Sequence, residues 1–116
     1  MQKFMFIYHG GDPEWHASAN EEELMAGMKE WETWMEALSA KGQLVSGGDP
    51  LEYSGKRLNA KGVVTDIASA ELKELVSGYS VVSAESIDEA VEIARTCPIW
   101  QYPHTTVEVR PIQEYS

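Results

Sequence analysis

Apolar residues fill every position from Phe4 to Tyr8, so a strand over Lys3–His9 sets Phe4, Phe6 and Tyr8 on one face and Met5 and Ile7 on the other. Such a strand needs cover on both sides. Gly10-Gly-Asp-Pro13 ends it with turn chemistry, and Glu14–Ser18, which lacks a clean period, predicts a loop or a single helical turn. The pattern then changes to three- and four-residue spacing: Leu24, Met28, Trp31, Met35 and Leu38 form the stripe of a helix over Glu21–Lys41, with Trp34 off its centre. Asn20 and Glu23 make a capping box, Glu21 and Glu22 suit the positive end of the dipole, and Gly42 supplies the stop. Methionine and tryptophan at this spacing predict packing surface, not a cofactor or metal box.

Gln43–Ser46 predicts a second strand ending at Gly47-Gly-Asp-Pro50, where the glycines lead into a turn and not into a helix that could hold a phosphate. Lys56–Leu58 and Gly62–Thr65 predict a hairpin across Asn59–Gly62. One or two helical turns over Ser69–Leu75 follow, then a strand over Gly78–Ala84. Ser86 caps a second full helix with Glu89 three residues on; Ile87, Ala90, Val91 and Ala94 form its stripe, and it ends near Thr96, before Cys97-Pro98. The last strand, Thr105–Arg110, sets Val107 and Val109 against Thr106, Glu108 and Arg110, and Pro111 closes it.

The order strand, helix, strand, inserted hairpin, strand, helix, strand predicts a single α+β domain over residues 1–116 on the ferredoxin-like split βαβ plan. Both helices then cover one sheet face. The other face stays apolar and uncovered, which predicts a homodimer.

Charge and composition narrow the partners. A net charge of −10 from 19 acidic and 9 basic residues disfavours nucleic acid, whose binding rests on Lys and Arg neutralising phosphates. The N-terminal apolar run is too short for a membrane span or a signal sequence, and the single Cys97 cannot form an intrachain disulfide. A cytoplasmic protein without a membrane partner is the expectation.

His9, His16 and His104 fall near element ends, where side chains can reach a cleft. His9 and Asp66 each close a strand, and a carboxylate beside an imidazole would orient it for proton transfer. The plainer reading makes His9 a strand-end hydrogen-bonder and Asp66 a turn cap. No His-x-His or HExxH spacing occurs, so neither metal nor cofactor is expected. Ser86 is accounted for by capping, and Cys97 follows a helix C-terminus, which does not favour a thiolate. Arg57, Tyr79, Glu108 and Arg110 form a candidate ligand-binding set, in which an arginine suits a carboxylate or phenolate; Glu108 and Arg110 alternatively pair with each other. Trp100 and His104, with Tyr102 between them, predict a lid over a pocket or a strap closing a dimer.

Val63-Val-Thr-Asp66, Glu71-Leu-Lys-Glu74, Gly78-Tyr79, Ser86-Ile-Asp-Glu-Ala90, Cys97-Pro98 and Val107-Glu-Val-Arg-Pro111 together resemble the YCII-related superfamily, specifically its DGPF group. The resemblance implies a ferredoxin-like fold forming a dimeric α/β barrel, mostly of unassigned biochemical function, with one member linked to dehalogenation of a chlorinated hydroxyquinol. Where the family has Asp-Gly-Pro-Phe, this chain has Asp66-Ile-Ala-Ser69. The family's His-Asp pair places its histidine near the start of the first helix, and Glu21–Lys41 contains none. Two functions therefore stand side by side: a small-molecule-binding or accessory homodimer, and a cofactor-independent acid-base enzyme, lyase or dehalogenase-like, acting on a small aromatic or carbonyl compound with His9 and Asp66.

Overall fold

The computed structural model describes residues 1–67 and 74–114. Its elements run β1 (Gln2–Gly10), α1 (Pro13–Ser18), α2 (Glu21–Ala40), β2 (Leu44–Ser46), β3 (Lys56–Leu58), β4 (Val64–Asp66), β5 (Val76–Ala84), α3 (Ile87–Arg95), a 3-10 turn (Pro98–Gln101) and β6 (Thr105–Pro111). An antiparallel four-stranded sheet has the order β2-β5-β1-β6, while among the described residues β3 and β4 pair only with each other. The order is that of the split βαβ plan, with the β3–β4 hairpin as the insertion. Among the described residues the sheet remains open at β2 and β6 and forms no closed barrel. The helical turns expected over Ser69–Leu75 lie largely outside the described residues.

Phe4, Phe6 and Tyr8 on β1 and Ser80, Val82 and Ala84 on β5 are buried under the helices. Asn20 and Ser86 cap α2 and α3, their side chains accepting from Glu23 N at 2.8 Å and Glu89 N at 3.1 Å. The buried face of α2 is turned from the predicted stripe: Gly27, Trp34 and Leu38 face the core with Trp31 and Met35 beside them, while Leu24 and Met28 are exposed. Gly27 lies buried against the side chains of Gln101 and Tyr102. Trp34 enters the core, its Nε1 donating to Thr96 Oγ1 at 2.9 Å.

Beneath the helices runs a buried polar chain. Cys97 Sγ donates to the Tyr8 hydroxyl at 3.4 Å, Tyr8 to Ser80 Oγ at 2.8 Å, and Ser80 to the Gly47 carbonyl at 2.9 Å. Burial raises the Tyr8 phenol well above its ordinary range and pushes the Cys97 thiol up to about 11. Cys97 is thus a packed structural group and not an activated nucleophile.

The molecule is a slab of 43 × 40 × 18 Å. One helix layer on one sheet accounts for the thin dimension, so no helix or strand among the described residues covers the far face of the sheet.

Candidate functional site

Pairing register assembles the open face. Ile7 lies between Tyr79 on β5 and Glu108 on β6, and Met5 lies between Val81 and Arg110. All belong to the set that alternates with the buried side chains, so the face carries a half-buried apolar floor of Met5, Ile7 and Val81 with a polar border. His9 follows one pleat further along the same side of β1. The β1–β5 register shifts between Tyr8 and His9, and such a bulge re-aims the residue beside it.

Three side chains on this face are joined. His9 Nε2 lies 3.0 Å from Glu108 Oε1, and Arg110 Nη1 donates to Glu108 Oε2 at 2.9 Å. His9 Nδ1 lies 3.2 Å from the Glu74 carbonyl. Both ring nitrogens therefore meet acceptor oxygens, and a neutral imidazole can donate to only one of them. The hydrogen bond from Arg110, then that with His9, holds the Glu108 carboxyl below the usual carboxylate range. A bridging carboxylate fixes the imidazole and the guanidinium while most of the Arg110 fork stays exposed. Chemically, the arrangement can offer donors to an anionic or phenolic oxygen above an apolar floor.

Asp66 is not the partner of His9. Its carboxylate accepts from Lys56 Nζ at 2.7 Å across β3–β4, because the strand that Asp66 closes pairs with β3 and does not join the main sheet. The carboxylate that meets His9 comes instead from β6, the strand beside β1.

The expected ligand set is likewise divided. Glu108 and Arg110 stand on the open face as the alternation predicts, and they pair with each other along β6. Tyr79 shares that face and donates to Asp49 Oδ2 at 3.3 Å. Arg57 sits on the hairpin. Trp100 lies on the helix side, donating to the Ala94 carbonyl at 2.9 Å, and lines a shallow groove of about 660 Å³ between α2 and the α3 end. His104 serves through its backbone: it adopts φ 60° and its carbonyl accepts from Gly11 N at 3.2 Å. Gly10 permits that approach, since a side chain there would strike the same carbonyl.

Sequence reasoning missed an aromatic group around α1. Tyr102 packs near Trp15 and His16, with ring centroids 5.3 and 5.1 Å apart, and its hydroxyl accepts from Trp31 Nε1 at 3.2 Å. Residues of α1, α2 and the β6 approach make it up, so no single period could show it. Among the described residues no group of three or more His, Cys, Asp or Glu could hold a metal ion, and no helix is long and apolar enough to cross a membrane.

Fold and site together define a two-layer α+β protein with a histidine, carboxylate and arginine chain on an open sheet face. The model of the YCII-related domain matches residues 4–116. The chain belongs to the YCII-related family. Comparison with curated proteins finds no match. Solved structures that match include a 5-chloro-2-hydroxyhydroquinone dehydrochlorinase from Burkholderia phenoliruptrix AC1100 in complex with 2,5-dihydroxybenzoquinone, at 18% identity and a TM-score of 0.42 over 90% of each chain. A likeness at that level says nothing of this chain's chemistry.

Proposed function

We propose that the chain is a homodimeric small-molecule-binding protein of the DGPF group, whose ligand sits against the open sheet face at His9, Glu108 and Arg110. The observation that carries this reading is the hydrogen-bonded chain of these three side chains beside the apolar floor of Met5, Ile7 and Val81. Donor pairs in an apolar surround are how sites fix small anions and phenolates. Two open faces brought together would close a dimeric α/β barrel and turn a flat surface into a cavity. The uncovered apolar floor supports that arrangement.

The test is a thermal-shift screen with small aromatic carboxylates and phenols. A ligand that raises the midpoint of the wild type and not of Arg110→Ala or His9→Asn supports the site; a shift unchanged in both variants overturns it.

The 3.0 Å contact of His9 with Glu108 favours one second reading, acid-base catalysis with His9 as proton carrier and Glu108 as its positioning residue. In that case Glu108→Gln keeps ligand binding and loses turnover. A variant that turns the ligand over as fast as the wild type excludes it.

A further inference from the structure

Among the described residues two surfaces of this chain stand unpartnered. The first is the β3–β4 hairpin. Its cross-strand pair Leu58 and Val64 is 68% and 56% exposed, and Val63 beside them is exposed as well. Isolated two-stranded hairpins are marginal in water, and β3 and β4 form no strong contact with another helix or strand among the described residues. The hairpin is also the basic part of an acidic protein: residues 56–66 carry Lys56, Arg57, Lys61 and Asp66, a net +2, which leaves −12 on the rest of the chain. The side chains of Arg57 and Lys61 form no ion pair among the described residues.

The second surface is the outer flank of α2. The orientation of this helix leaves Leu24, Met25 and Met28 exposed, the two methionines at 64% and 65%. Glu21, Glu32 and Glu36 share this flank at helical spacing with a single cation, Lys29, so it stays net acidic. Apolar ridge and carboxylates together present the complement of the hairpin, in charge and in character. Both surfaces belong to one sequence, so the occupant that satisfies both is a second copy, with the contact made twice when the copies meet about a two-fold axis.

We infer that the β3–β4 hairpin is an arm that docks on the α2 flank of a second copy of this chain, Leu58 and Val64 against Met25 and Met28, with Arg57 and Lys61 toward Glu32 and Glu36. The contact goes beyond the sheet-face dimer and does not depend on it.

A charge-swap series in the full chain tests it, with dissociation followed by sedimentation velocity over a dilution series at low and high salt. Arg57→Glu with Lys61→Glu weakens association roughly tenfold, as does Glu32→Lys with Glu36→Lys, because each sets like charges opposite one another. An equimolar mixture of the two double variants re-forms mixed assemblies more tightly than either variant forms its own, and that advantage shrinks at high salt. All four positions are exposed, so circular dichroism melts stay near the wild type. Equal association of both variants and the wild type overturns the arm contact while leaving the sheet-face dimer standing. Two weakened variants that gain nothing on mixing overturn the pairing of hairpin with α2. A wild type that stays monomeric throughout overturns both the arm and the dimer.

Discussion

Glu108 decides how the open face behaves. Its carboxyl is held below the ordinary range by Arg110 and His9, so the stabilisation it gives is present above the unfolded carboxylate value and is lost as pH falls through the depressed folded value. Glu108→Gln therefore flattens the acid limb of the stability curve, which urea titrations between neutral and strongly acid pH would register; an unchanged limb would mean the carboxylate is not bound as described. Cys97 has the opposite sign. With the thiol pushed up to about 11, its contribution is complete below the ordinary thiol value and fades as pH rises through about 11. In the native protein a thiol reagent labels Cys97 only on unfolding, and fast labelling at neutral pH would contradict its burial. Tyr8→Phe strips the acceptor from Cys97 and the donor from Ser80, at a cost of about 1 to 2 kcal/mol in chemical denaturation. At this scale the sequence placed Glu108 and Arg110 correctly from strand alternation alone. It could not join His9 to Glu108, because that contact is made by register between strands almost a hundred residues apart.

Elements were legible where chemistry is local. The caps at Asn20 and Ser86 bond as their spacing predicts, and Asn20→Ala should cost about 1 kcal/mol of stability. The face of α2 was legible in part: Trp31, Met35 and Leu38 of the stripe pack on the core, but Gly27, which scores as no hydrophobe, and Trp34 are buried where Leu24 and Met28 are exposed. Trp34→Ala then costs about 3 to 5 kcal/mol by thermal or urea unfolding, whereas Met28→Ala is close to neutral in a protein held monomeric. Equal effects would put Met28 back in the buried stripe. The 3-10 turn at Pro98–Gln101 escaped notice because four residues cannot display a period. The hairpin was foreseen, but its independence from the main sheet was not. That independence is why Asp66 ends up with Lys56 instead of with His9.

For the whole molecule, the arrangement of layers explains both what is built and what is missing. Helices cover one face of a four-stranded sheet, and within an 18 Å thickness no described helix or strand covers the other. Strand and helix order carried that plan into the sequence, since connectivity limits how such elements can pack. The measurement that bears most directly on the proposed site is ring-selective NMR of His9, His16 and His104 during titration with benzoate and with phenol. The site described here predicts saturable shifts of the His9 ring alone, abolished in Arg110→Ala. Movement of His16 or His104 with His9 unmoved would contradict it.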